Sequence, residues 1–345
     1  MVKTRIIATL GPASSSQTIL RKMMLAGLDV VRLNFSHSNL KEHLFRINLI
    51  RQLNKNYRRR IRILGDLEGY RIRIGSLKKP FELKKNQIVY LTQEQVTAEP
   101  PVISFDYHGD SRDIRLGQHI YIDDGNLALI VERHQKRSMK CRVIVGGMLK
   151  EHKGVNIPDG GLKFSGLTKK DKEDIIFCVK EKVDFIAQSF VRTKEDILKI
   201  KDLIRDDLTR IKVIAKIENR RGIKNIDEII EVSDGIMIAR GDMGVSIPIY
   251  EVPVVQKEII RKCNRAGKFV ITATQMLESM TDNLLPTRAE VSDVANAIID
   301  GSDYLMLSAE TAVGRYPVES VRMMNQVIKF TERYLGSQAG GLKAI

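Results

Sequence analysis

Along most of the chain, short apolar runs alternate with amphipathic stretches of roughly 10 to 18 residues, a rhythm that reads as β-strand then α-helix with parallel strands. Strands are predicted over residues 5–10, 29–33, 61–66, 184–188, 212–216, 235–239, 269–274 and 304–308. Helices are predicted over 16–26, 40–54, 169–181, 194–206, 222–232, 252–266, 288–300 and 317–334. Ser16, Thr168 and Thr193 supply N-cap chemistry, and Pro317 suits a first helical position. Eight parallel βα units imply a (β/α)8 TIM barrel whose active site lies at the C-terminal ends of the strands.

The third unit breaks the rhythm. From about Ser76 to His152 the pattern has period two, with strand candidates at 88–92, 118–122, 128–131 and 142–145, and no helical stretch. Asp123-Asp124-Gly125-Asn126 reads as a hairpin turn. The expectation is a small β-rich lid domain, 76–152, inserted after strand three, with barrel segments 1–75 and 153–345 on either side. Without the insertion, the chain approaches the roughly 250 residues of an ordinary barrel.

Composition narrows the class. Hydrophobic residues make up 43% of the 345 and charged residues 29%, enough for a large core and too apolar for disorder. No apolar run reaches the roughly 20 residues of a membrane span, and the opening MVKTRIIATLG has no leader-like cleavage pattern. Cys141, Cys178 and Cys263 form no CxxC pair, so a cytoplasmic setting is expected, without disulfides or zinc ribbons. The formal charge of +15 asks for anionic partners. Yet Trp is absent, aromatics are 6%, and the basic residues are dispersed. The densest cluster, Arg58-Arg59-Arg60-Ile61-Arg62, runs directly into a predicted strand. That distribution argues for a solvated basic surface and against nucleic acid as the partner, leaving nucleotides or phosphorylated metabolites.

Candidate chemistry gathers at the predicted strand ends. Strand two ends Arg32-Leu33-Asn34-Phe35-Ser36-His37, strand three at Asp66, and strand five at Lys216-Ile217-Glu218-Asn219. Strand six runs into Arg240-Gly241-Asp242, strand seven ends Thr274-Gln275, and strand eight ends Ser308-Ala309-Glu310-Thr311. Glu218 and Asp242 are hard oxygen donors suited to Mg²⁺, which takes few protein carboxylates and keeps places for water and substrate oxygens. Lys216, two residues from Glu218, can neutralise a developing enolate or phosphoryl oxygen, and Arg32 offers a planar fork for phosphate. Gly241-Asp242 is expected to open a turn whose amides could hold a carboxylate, with the Thr274 hydroxyl nearby. This set fits a small phosphorylated or enolisable carboxylic acid.

The segments VRLNFSHS (31–38), AKIEN (215–219), DGIMIARGDMG (234–244), ITATQMLESM (271–280), PTRAEVSDVAN (286–296) and LSAET (307–311) closely resemble the pyruvate kinase family, and the likeness runs from residue 1 to about 335. The resemblance implies a barrel with a β lid, Mg²⁺ or Mn²⁺, and phosphoryl transfer from phosphoenolpyruvate to ADP. On the matching positions, Arg32 and Lys216 would contact the phosphoryl group, and Lys216 also the enolate oxygen. Glu218 and Asp242 would hold the divalent metal. The amides of Gly241 and Asp242, with Thr274, would face the substrate carboxylate and the protonated carbon. Asn34, Ser36, Asp66 and the Leu67 carbonyl match a monovalent-cation site; Asn34, His37, Arg73 and Lys153 match nucleotide contacts. A homo-oligomer formed through barrel faces is expected on the same ground.

The chain also departs from the family pattern. It ends at Ile345, where most members continue into a C-terminal domain bearing a sugar-phosphate effector site, so no such allostery is expected. After strand three the family reads Asp-Thr-Lys-Gly-Pro-Glu-Ile-Arg; here Asp66-Leu67-Glu68-Gly69-Tyr70-Arg71-Ile72-Arg73 stands instead. Ser246 and Ala309 replace the usual Glu and Gly. These changes keep open a diverged paralogue acting on another keto-acid or phosphorylated acid, and a non-catalytic basic binding protein. Potassium-requiring members carry Glu at the position of Arg71 and potassium-independent members Lys, so the resemblance implies catalysis without K⁺. A guanidinium cannot deprotonate in a protein and could take the ion's place near Asp66. Alternatively, Arg71 pairs with Glu68 or points to solvent.

Overall fold

The computed structural model describes residues 3–339, apart from 124, 159–161 and 163–165; Asp124 of the expected hairpin turn therefore lies outside the described residues. The strands Arg5–Thr9, Leu28–Asn34, Arg62–Asp66, Phe185–Gln188, Lys212–Ile217, Gly235–Ala239, Phe269–Ala273 and Tyr304–Leu307 form one closed barrel. Each pairs in parallel with the next, and the first closes on the eighth with Arg5 opposite Tyr304. Alternate residues point inward, where Ile7, Val30, Leu64, Ile214, Met237, Ile271 and Met306 form a packed core.

The N-terminal end of the barrel is plugged. Phe185, Phe269 and Tyr304, each the first residue of its strand, meet edge to face at centroid distances of 5.6 to 6.3 Å. The Arg62 guanidinium lies 4.9 Å from the Phe185 ring centroid and donates to the Tyr304 hydroxyl at 2.8 Å. Just outside the plug, one device recurs at every even-numbered strand. The carboxylates of Asp29, Asp184, Asp234 and Asp303 accept from the backbone N–H of Ile6, Ile63, Val213 and Val270, at 2.8 to 2.9 Å. Each aspartate at a strand entrance thus ties down the second residue of the strand before it. The sequence carries this signal as an aspartate at the head of an apolar run.

Several helices begin as their caps dictate. The Ser16 side chain accepts from Ile19 N–H at the head of Gln17–Ala26, and Thr193 forms a capping box at Lys194–Leu203. The helix expected over 222–232 is instead two, Arg220–Lys224 and Ile226–Val232, interrupted at Asn225. The Asn225 amide donates to the Arg192 carbonyl at 2.8 Å, and that tertiary bond is compatible with the break. Short helices Arg240–Ser246 and Ala309–Ala312, which the apolar period was too short to announce, follow strands six and eight directly.

Residues Tyr70–Thr168 and Gly241–Val252 make a second compact unit. Its six-stranded sheet runs in the order Val155–Asn156, His119–Ile122, Leu127–His134, Ser138–Val145, Ile88–Thr92, Val102–Ser104, with Phe81–Leu83 and Gly147–Leu149 as a separate pair. Leu91, Ile103, Phe105, Tyr107, Ile120, Leu129 and Val143 build its own core. The central hairpin is longer than the period-two pattern indicated. On the strands' exposed side, Glu132 pairs with Lys140 at 3.1 Å and accepts from Arg142 Nε at 2.6 Å, and such cross-strand charge pairs read as loop in a hydropathy pattern.

The aspartate ties give a stability prediction. Asp303→Ala leaves the Val270 N–H without its carboxylate and should lower unfolding stability by about 1–3 kcal/mol. Urea denaturation should show a lower midpoint at constant m-value, with turnover unchanged because the residue lies at the end of the barrel away from the polar strand ends. An unchanged midpoint would remove the tie as a stabilising element.

Candidate functional site

The polar ends of strands two and five meet on the carboxylate that closes strand three. Asp66 closes strand three with no exposure to solvent. Its Oδ2 accepts from Arg32 Nε at 2.6 Å, and its Oδ1 lies 3.1 Å from Lys216 Nζ. The ammonium of Lys216 is also 3.0 Å from Glu218 Oε1 and donates to Ser189 Oγ at 2.7 Å. Lys216 and Glu218 are two residues apart and so share a face. Glu218 is fixed further by the Phe190 N–H, which donates to Oε2 at 2.7 Å from a residue with φ of 56°. Arg32 Nη1 donates to Thr9 Oγ1 at 3.0 Å, which fixes the plane of its fork.

These charges are sustained by each other. Burial alone would push the Asp66 carboxyl up, but Lys216 and then Arg32 outweigh it and hold the group below its ordinary range. Burial likewise works against the Lys216 ammonium, and Asp66 and Glu218 overcome it, so its pKa is raised. Lys216 is 8% exposed and Glu218 2%, so this is a dry array in which fixed charges act strongly.

Thr274 and Gln275 follow strand seven in the left-handed region, with φ of 75° and 56°. The Thr274 carbonyl accepts from Arg240 Nε at 3.0 Å and Nη2 at 2.6 Å. Gly241 and Asp242 lie in the first turn of the helix Arg240–Ser246, so the expected open turn is helical. The Asp242 Oδ1 is 3.1 Å from Arg71 Nη2, and Glu68 Oε2 is 3.7 Å from Lys170 Nζ. The buried Glu310 accepts from the Leu277 and Ser308 amides at 3.1 and 2.6 Å and so braces the ends of strands seven and eight.

The remaining candidates fall into two groups. Asn34 Oδ1 accepts from Ser36 N–H at 3.1 Å, and the Phe35 N–H donates to the Asp66 carbonyl at 2.9 Å, so this loop is folded onto strand three. The Leu67 carbonyl accepts from Ser189 Oγ at 2.7 Å. His37 is exposed, and its carbonyl contacts His43 Nε2 at 3.1 Å. Arg73 and Lys153 belong to the β unit: Arg73 Nη1 donates to the His152 carbonyl at 3.2 Å, and Lys153 Nζ is 2.8 Å from Asp123 Oδ1. Sequence reasoning missed Ser189 and Thr9, and it placed Arg240 at the end of strand six without giving it a role. For Ser189 the signal was present, a polar Gln-Ser pair closing the fourth strand.

Among the described residues no group of three or more His, Cys, Asp or Glu side chains is assembled for a metal. A carboxylate such as that of Glu218 is a hard oxygen donor, the chemistry Mg²⁺ takes while keeping substrate and water oxygens in its shell. What the array does by itself is hold two cations, Arg32 and Lys216, in fixed positions against two buried carboxylates.

Lys216→Met should destabilise the fold by about 3–5 kcal/mol, because it leaves two buried carboxylates without their shared cation. In the wild type, Asp66 has a lowered pKa, so its contribution is present above the unfolded value and lost as pH falls through the folded one. In the variant Arg32 opposes burial without Lys216, so the Asp66 carboxyl pKa rises and the stability gap to wild type should narrow as pH falls. Thermal melts of both proteins on acidification check the narrowing.

Comparison with known proteins bears on the same residues. The family model described as pyruvate kinase, barrel domain, matches residues 1–321. Proteins named pyruvate kinase from Staphylococcus aureus strains MRSA252, USA300 and NCTC 8325 / PS 47 are each 48% identical over 330 residues, covering 95% of this chain and 56% of the relative. The chain thus spans just over half the length of these curated relatives. From the barrel-domain match and this identity across nearly all its residues, the chain belongs to the pyruvate kinase family.

Proposed function

We propose that the protein transfers the phosphoryl group of phosphoenolpyruvate to ADP, giving pyruvate and ATP. The single observation that carries this reading is the buried array of Arg32, Asp66, Lys216 and Glu218 at the strand ends, in a chain of this family. In the reaction, the bond from phosphorus to the enol oxygen breaks and one to an ADP β-phosphate oxygen forms. The enolate left behind takes a proton at its methylene carbon and becomes pyruvate. Arg32 would hold the phosphoryl oxygens bidentately, and Lys216 would balance negative charge on the enolate oxygen. The amides of Gly241 and Asp242 would bind the substrate carboxylate, and the Thr274 hydroxyl would face the carbon that is protonated. Glu218 and Asp242 would hold Mg²⁺ or Mn²⁺, which when bound supplies Lewis-acid stabilisation of the transferring group. Asn34, His37, Arg73 and Lys153 would contact the nucleotide, and in chain order the inserted domain would cover 76–152, with barrel segments 1–75 before it and 153–345 after it.

Two finer readings join this proposal. A cytoplasmic setting is supported by three free, buried thiols at Cys141, Cys178 and Cys263. A homo-oligomer through barrel faces is supported by exposed apolar side chains at Val254, Leu284 and Leu285.

The direct test is a coupled assay of pyruvate and ATP from phosphoenolpyruvate, ADP and Mg²⁺. Pyruvate formed without need of ADP would instead favour the diverged-paralogue reading that Glu68, Tyr70 and Arg71 motivate. Glu218→Gln and Asp242→Asn should each lower metal-dependent turnover by about 100-fold or more while circular dichroism stays native. Retained activity in either variant would sink that ligand assignment.

Potassium independence is the second testable reading, supported by the permanent charge of Arg71 where potassium-requiring members carry glutamate. Its Nη2 lies 3.1 Å from Asp242 Oδ1. Rates in potassium-free buffer and at about 100 mM KCl, with ionic strength held by a tetraalkylammonium salt, should agree within a few-fold. A tenfold loss without potassium, roughly 1.4 kcal/mol of transition-state stabilisation, would show that Arg71 does not replace the ion.

A further inference from the structure

We infer that Arg240 is a positioning residue: its guanidinium holds the backbone of Thr274 and Gln275 in the left-handed conformation that sets the direction of the Thr274 hydroxyl. The inference rests on the reading of Thr274 as the hydroxyl facing the carbon to be protonated, and it concerns how that hydroxyl is kept in place.

Two consecutive non-glycine residues with φ of 75° and 56° are costly, the more so because Thr is β-branched. Such a conformation persists only where its surroundings over-determine it. Here Arg240 bonds directly to the carbonyls of both residues. Arg240 gives two hydrogen bonds to the Thr274 carbonyl, from Nε at 3.0 Å and Nη2 at 2.6 Å. Nη2 also donates to the Gln275 carbonyl at 3.1 Å and lies 2.9 Å from Met276 Sδ.

The other edge of the guanidinium is fixed independently. Nη1 is 2.6 Å from Asp293 Oδ2 and 3.4 Å from Gln256 Oε1, groups on the helices Arg288–Ile299 and Val252–Arg265. The side chain is 12% exposed. Arg240 directly precedes Gly241 and Asp242, yet its charge faces the strand-seven loop. It is therefore a brace between two rigid helices and a strained loop. The brace needs a planar fork: a lysine ammonium is a point donor and cannot make the two-nitrogen contact with one carbonyl while meeting Asp293 from the other edge.

In the proposed reaction the enolate carbon must receive its proton from a group already in place, and a small displacement of that group costs turnover more than binding. Arg240→Lys should lower kcat by about 10- to 100-fold while KM for phosphoenolpyruvate moves less than about threefold. Combined with Thr274→Ala it should be non-additive, the double variant being no slower than the slower single one. Hydrogen exchange at the amides of Gln275 and Met276 should accelerate in Arg240→Lys without general loosening of the barrel strands.

Should Arg240→Lys fail to fold, Asp293→Asn removes the orienting charge and keeps the shape; it should show the same exchange pattern and a kcat loss of about three- to tenfold. Additive losses in the double variant, or unchanged exchange at residues 275–276, would overturn the inference while leaving phosphoryl transfer intact. A wild-type chain that makes no pyruvate overturns the functional reading instead. The exchange measurement needs no turnover and then decides the brace by itself.

Discussion

The burial of Asp66 is the constraint around which the site is organised. A carboxylate with no solvent exposure is tolerated only if cations reach it, and Arg32 from strand two and Lys216 from strand five do so. Their geometry can be that good only because the strands carrying them belong to one closed barrel with fixed register. Lys216 in turn brings Glu218 and Ser189 into the array. Removing one charge weakens the compensation that the others receive for their burial, so the site is coupled internally. The gain is a set of dipoles and charges already in place before a ligand arrives.

The two ends of the barrel solve opposite problems. At the N-terminal end, aromatic rings, a stacked guanidinium and four aspartate ties satisfy backbone donors and fill space. At the C-terminal end, charges remain buried, and left-handed residues such as Phe190, Thr274 and Gln275 sit at strand ends. Strain of this kind is what a rigid scaffold can hold and a flexible loop cannot. Stability in the first place underwrites strain in the second.

Much of this was legible along the chain. The alternation of apolar runs and amphipathic stretches specified eight strands in the right order, because a strand buried in a parallel barrel is a continuous apolar run with a turn after it. Arg32, Asp66, Lys216 and Glu218 stood out because polar residues directly after such runs must lie at the barrel mouth. The β unit was legible as period two, and its hairpin was read short where exposed charges paired across strands. The break at Asn225 and the short helices at 240–246 and 309–312 were not legible, since four to seven residues carry too little periodicity to register.

The sequence by itself determined which residue types could meet at the strand ends, because β periodicity and chain order decide which side chains point to the same mouth. Only the tertiary structure decided which of them touch. That Arg32 and Lys216 share Asp66, that Ser189 bridges Lys216 and the Leu67 carbonyl, and that Arg71 meets Asp242 all depend on rotamers chosen by neighbours distant in sequence. Arg240 is the clearest case. In the sequence it is one more cation beside a glycine and an aspartate. In the fold, helices that begin 12 or more residues later turn its charge onto the loop after strand seven. Spacing sets proximity along a strand; the direction of a long, charged side chain is set by whatever partners the closed barrel brings within hydrogen-bond reach.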